Sequence, residues 1–130
     1  MDAETYHADG NRAVRLLIVD QHKGVREAVA QRLDRRADAQ VLGAVGSVDR
    51  AMQLIAANKP DLVLYEPKGM VKHDPGELTA LVAAGSPVVV WTSSLVANEA
   101  EMYKSDGAAA VLLKAGSIAR LVAALAWVKV

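Results

Sequence analysis

The strictest constraint in this chain is a rhythm. Short, unbroken apolar runs alternate with segments whose apolar residues recur every three or four positions. Leu16, Leu17, Ile18 and Val19 run together and stop at Asp20. Such a run, bounded by polar residues, is the mark of a strand buried on both faces. The pattern returns at Leu62 to Tyr65, at Val88 to Thr92 and at Val111 to Leu113, and a further strand is predicted over Ala39 to Val45. Helical periods lie between them. Val25, Ala28, Val29 and Leu33 share one side of a helix that turns Arg26, Arg32 and Arg35 outward. Ser47 is placed to cap a helix burying Ala51, Leu54 and Ile55, which Asn58, Lys59 and Pro60 terminate. Helices follow from about Glu77 to Ala84 and from Ala97 to Ser105, the latter closed by Asp106 and Gly107. Ser117 opens the last, whose Ile118, Leu121, Val122, Leu125 and Val128 form one apolar stripe. Five strands and five helices in strict alternation require a parallel sheet covered on both faces, a doubly wound α/β domain.

The bulk numbers agree with one such domain. The chain has 130 residues, 52% of them hydrophobic, with no Phe and aromatics at 4%, so the core must be built from Val, Leu, Ile and Ala. Lys+Arg and Asp+Glu number 15 each, which removes the electrostatic case for nonspecific attraction to nucleic acid or an anionic membrane. No cysteine is available for disulfides or thiolate metal sites. The opening residues, MDAETYHADGNR, are acidic and polar and lack a signal-peptide pattern. No apolar run approaches the roughly 18 residues of a membrane span. The expectation is a cytoplasmic domain over residues 14–130 behind a flexible tail, residues 1–13.

In open α/β sheets, ligands bind outside the carboxyl ends of the strands, where strand order reverses. Asp20 follows the first strand, Glu66 the third, Thr92 ends the fourth and Lys114 follows the fifth. In a flavodoxin-like order, 2-1-3-4-5, the first and third strands are neighbours, so these four side chains converge. Two acids, a hydroxyl and an ammonium suit a cation or a phosphoryl group. Each alone has an ordinary structural explanation: Lys114 can be solvated, Thr92 can close a turn, and Glu66 can simply pair with Lys114. Four together, each at the same end of its strand, favour a site.

These residues carry a resemblance, covering about Val14 to Val128, to the CheY-like receiver domains of response regulators, of the NarL/LuxR type. RLLIVDQHKGVREAVAQRL is similar to that group's first strand and helix, KPDLVLYEP to its phosphoacceptor strand, SPVVVWTSS to the strand with the switch hydroxyl, and DGAAAVLLKAGS to the strand with its lysine. The resemblance implies a (βα)5 fold in which an acidic pair after the first strand helps hold Mg²⁺ and an aspartate accepts a phosphoryl group. Asp20 then matches the first acid, Glu66 the acceptor position, Thr92 the hydroxyl and Lys114 the lysine.

Two departures bear on that chemistry. The second acid is Gln21, a neutral amide where Mg²⁺ favours carboxylates, so Asp20 is at most a weak metal ligand and no cofactor is expected. The acceptor is Glu66, whose extra methylene moves its carboxylate by about 1.5 Å. A shift of about 1 Å can cost on the order of 100-fold in a reaction that depends on positioning. Val111 stands where many receivers carry a mobile aromatic. His7, His22 and His73 are scattered, and no phosphate loop, His-Glu-x-x-His motif or nucleophile elbow is present.

The reading is a degenerate, phosphorylation-independent receiver, not an enzyme, that binds a protein partner or a second copy of itself. The resemblance implies the fourth helix, fifth strand and fifth helix as its working surface, with Met102, Tyr103 and Trp127 as the residues to test. One alternative is a phosphorylatable receiver followed by a LuxR-type DNA-binding effector domain. Another is a small-molecule sensor binding at Asp20, Gln21 and Thr92.

Overall fold

The computed structural model describes residues 13–68, 75–96 and 98–114, together with residues 121 and 123. The tail, His7, Gly69, His73 and most of the last helix, including Ser117 and Trp127, lie outside the described residues. The elements are β1 (Val14–Val19), α1 (Lys23–Asp34), β2 (Ala39–Val45), α2 (Val48–Asn58), β3 (Leu62–Tyr65), α3 (Pro75–Ala83), β4 (Val88–Thr92), α4 (Glu99–Ser105) and β5 (Ala110–Leu113). All strand pairs are parallel and the sheet order is β2-β1-β3-β4-β5.

The unbroken apolar runs have a direct cause, because alternate residues of each strand enter different cores. Leu16, Ile18, Leu62, Leu64, Val89 and Trp91 meet Val29 and Leu33 of α1, together with Leu121. Leu17, Val19, Val63, Tyr65, Val88 and Val90 meet Ala51 and Ile55 of α2, Leu78 and Leu81 of α3, and Tyr103 of α4. Ser47 caps α2 by accepting from the Arg50 amide at 3.2 Å. Gly107 adopts φ +111°, and a Cβ there would stand 2.8 Å from Val82 Cγ1, so the turn into β5 needs glycine.

The expected burial of α1 is corrected in its first half. Val29 and Leu33 are buried, but Val25 and Ala28 are exposed. Residues four apart on a helix drift by about 40° per step, so Val25 lies roughly 80° round from Leu33 and leaves the sheet. Among the described residues, no helix is long and apolar enough to cross a membrane.

Candidate functional site

Ladder bonds continue one residue past the strand ends and thereby aim the polar side chains. The Asp20 amide donates to the Val45 carbonyl at 3.0 Å, the Glu66 amide to Val19 at 3.0 Å, and the Lys114 amide to Thr92 at 2.8 Å. Asp20, Glu66 and Lys114 are therefore held by backbone at one edge of the sheet, and their side chains converge there. Lys114 Nζ lies 2.8 Å from Asp20 Oδ2 and 2.9 Å from Glu66 Oε1. The side chains are 4%, 7% and 16% exposed for Asp20, Glu66 and Lys114, so this is a buried cluster of two carboxylates around one ammonium. Nζ also stands 5.1 Å from the centre of the Trp91 ring, a cation–π contact that the sequence alone did not announce.

Burial by itself pushes the Asp20 carboxyl up. The hydrogen bond from Lys114, the amide of His22, the Lys114 charge and the His22 ring outweigh it, and the group ends below its ordinary value of 3.8. Asp20 is therefore ionised and held by its partners. Its Oδ1 accepts from the His22 amide at 2.8 Å and lies 3.0 Å from His22 Nδ1. That short-range turn was available in the sequence as an Asp two residues before the next donor. Arg26 fixes the same loop from α1, donating to the Asp20 carbonyl at 3.1 Å.

Two expected site members stand outside the ion cluster. Thr92 is buried, and its hydroxyl donates to the Ser94 carbonyl at 3.2 Å, closing its own turn. Gln21 is exposed beside the cluster. Tyr103, expected on a contact surface, is in the core, because α4 turns that side toward the sheet; Met102 is exposed. After Glu66 the chain is braced to α3: Tyr65 donates to Glu77 Oε1 at 3.0 Å, and Lys68 pairs with Glu77 Oε2 at 3.2 Å.

No protein-family model matches the chain. A transcriptional regulatory protein, PdtaR, from two strains of Mycobacterium tuberculosis is 30% identical over 127 residues, which are 96% of this chain and 61% of that protein. The chain thus spans about three fifths of the curated relatives it matches. The signal receiver domain of the putative response regulator NarL from Mycobacterium tuberculosis superposes with a TM-score of 0.77 at 24% identity, over 90% of this chain and 97% of that one. The BeF3-activated N-terminal receiver domain of RstA from Klebsiella pneumoniae gives 0.74 at 26% identity, over 87% and 96%. The chain has the fold of the response-regulator receiver domains and is similar to these relatives along nearly its whole length. A LuxR-family two-component response regulator from Aurantimonas sp. extends the likeness, with a TM-score of 0.79 at 20% identity over 90% of this chain and 85% of that one.

The receiver fold implies a divalent cation at the acids of its first and third strands, and here the oxygens that would hold it are engaged within the chain. Asp20 Oδ1 is engaged by the His22 amide and Oδ2 by Lys114, and Glu66 Oε1 is engaged by the same ammonium. Gln21 adds only a neutral oxygen. Among the described residues, no three His, Asp or Glu groups are placed to hold a metal. The residues do not fit Mg²⁺, because Lys114 already supplies the positive charge between them. Beside the cluster, Asp20, Gln21, Ser47, Glu66, Lys68 and Glu77 line a cleft of about 60 Å³. Small-molecule pockets run to roughly 300 Å³ and above, so a nucleotide-sized ligand does not fit it.

Proposed function

We propose that this receiver domain acts without phosphorylation, as a protein-interaction module held in one state by its own buried ion cluster, and that it performs no catalysis. The observation that carries this reading is Lys114 Nζ bridging Glu66 at 2.9 Å and Asp20 at 2.8 Å. Phosphoryl transfer to a carboxylate needs a free oxygen in line with the leaving group and a cation neutralising the phosphoryl charge. Glu66 has Oε1 on the ammonium, its longer side chain displaces the carboxylate from where an aspartate would present it, and the cation beside it is covalently part of the chain. Glu66 carries one negative charge where an acyl phosphate carries about two, so it imitates that group incompletely.

The working surface on this reading is α4 with the loop before it, β5 and the last helix, and among the described residues Val96, Met102 and Leu113 are its exposed apolar side chains. A protein partner or a second copy of the chain would cover them. Incubation with acetyl phosphate and Mg²⁺, followed by intact-mass measurement, tests the proposal. The expected result is an unmodified mass for the native chain and a phosphoryl adduct once Gln21→Asp and Glu66→Asp are combined. A stoichiometric adduct on native Glu66 would overturn it.

A second reading concerns context and rests on the span of 61% of PdtaR, a transcriptional regulatory protein. A DNA-binding response regulator of the LuxR family from Staphylococcus aureus also shares the fold, with a TM-score of 0.78 at 21% identity over 90% of this chain. On this reading the domain is the input part of a longer regulator. The reading frame past Val130 tests it: a DNA-binding domain there supports the idea, and a stop codon removes it.

A further inference from the structure

The cluster around Lys114 is not the one buried acid in the domain. Glu99, the first residue of α4, is 4% exposed, and Tyr103, one turn later on the same face, is 2% exposed. Glu99 Oε1 accepts from the Val96 amide at 2.6 Å and Oε2 accepts from the Tyr103 hydroxyl at 3.3 Å. The Glu99 amide in turn donates to the Val96 carbonyl at 3.1 Å, so the two residues grip each other across the loop. No cation among the described residues pairs with this carboxylate.

A helix cap alone does not account for that arrangement. The N-cap residue, Asn98, makes no side-chain bond at the helix end, and a buried carboxylate is costly unless its partners are in place. Tyr103 holds the carboxylate from within α4, and the Val96 amide reaches it in one placement of the loop, so a displaced loop would leave Glu99 Oε1 without its donor in a buried site. At the other end of the loop, Thr92 donates to the Ser94 carbonyl. Asn98 enters α4 with φ +69°, which a loosely held loop would have no reason to keep. Burial first, then the Glu99 charge and hydrogen bond and the charge of Glu66, raise the Tyr103 phenol to about 12, so it remains a donor.

We infer that Glu99 and Tyr103 form a buried lock that fixes the loop before α4 and so sets how Val96 and Met102 are presented. These two are positioning residues for the exposed face and do not themselves touch a partner. The consequence for binding rests on the function proposed above, but the lock is measurable on the isolated domain whatever happens with acetyl phosphate.

Amide hydrogen exchange, followed residue by residue, tests it in Glu99→Met, Glu99→Gln and Tyr103→Phe. Local opening that breaks the lock should speed exchange at Val96 roughly tenfold in Glu99→Met and about threefold in Tyr103→Phe, with β3 and β4 unchanged. The Met102 methyl resonance should shift in the same two variants. Glu99→Gln keeps an oxygen for the Val96 amide and should retain most of the protection. Unchanged exchange at Val96 overturns the inference, and so does an even rise across β3 and β4, which would report lost global stability. Should Glu99→Met fail to fold, Tyr103→Phe decides the question by the same two readouts.

Discussion

Strands β1 and β3 lie side by side, and the pair carries charge at both ends. At the entry end, the Arg15 amide donates to Asp61 Oδ2 at 2.9 Å, and the Arg15 guanidinium donates to the carbonyls of Asn58 at 2.7 Å and Lys59 at 3.0 Å. The charges there meet backbone: they close the C-terminal end of α2, where Lys59 has turned to φ +47°, and water reaches them. At the exit end, Asp20, Glu66 and Lys114 meet one another in a buried cluster. The same two strands thus show two uses of charge. Where water competes, a charge assists a helix end at modest value. Where water is excluded, a charge requires a countercharge, and loss of the shared ammonium leaves both acids without compensation.

Removing the central ammonium is the strongest way to break that contrast. Lys114→Met keeps an unbranched stem and leaves two buried carboxylates facing each other. Loss of one partner from a buried ion cluster costs about 3 kcal/mol, which urea unfolding at neutral pH would measure. The deficit should shrink as the pH is lowered, since protonation neutralises the stranded acids. A cost below about 0.5 kcal/mol would mean that the cluster is solvated like an exposed pair.

The cluster was legible in the sequence because it depends on few variables. Strand ends are marked by polar stops such as Asp20 and Lys114, and parallel order brings those stops to one edge. The ranges of β2, β3 and β4 and the Ser47 cap follow from equally local signals. What escaped depends on rotamers and helix phase. Thr92 has a hydroxyl that can face the cluster or its own turn, and nothing in SPVVVWTSS chooses between them. Tyr103 was expected on a contact surface because the resemblance implies the fourth helix, which is too short for its period to show which side turns inward. The acid and phenol at i and i+4 were the available sign that this face turns inward. Nothing in SPVVVWTSS shows that the Trp91 ring would lie beneath an ammonium.

Asp20→Asn sharpens the comparison with a smaller effect. The folded Asp20 carboxyl lies below its ordinary 3.8, so the unfolded chain takes up the proton first as pH falls. Its stabilisation is therefore fully present above that value and is lost as pH falls through the lower folded value. The native domain should show a steep loss of stability below about pH 4, and Asp20→Asn a shallower one. At neutral pH the variant should cost about 1 kcal/mol, because Lys114 keeps Glu66. Equal acid slopes in the two proteins would remove Asp20 from the account.

The smallest effect belongs to the entry end. Arg15→Met preserves the aliphatic stem and removes the donors to Asn58 and Lys59. A cation at a helix C-terminus contributes roughly 0.3–1 kcal/mol, so the urea midpoint should move only slightly. Added salt should move the native midpoint toward that of the variant, since this charge is within reach of solvent ions, while the effect of Lys114→Met should persist in salt. The comparison fails if Arg15→Met costs as much as Lys114→Met. Burial would then not be what separates the two ends of β1 and β3, and the exit cluster would be one more helix-end clamp instead of the element that fixes the state of the domain.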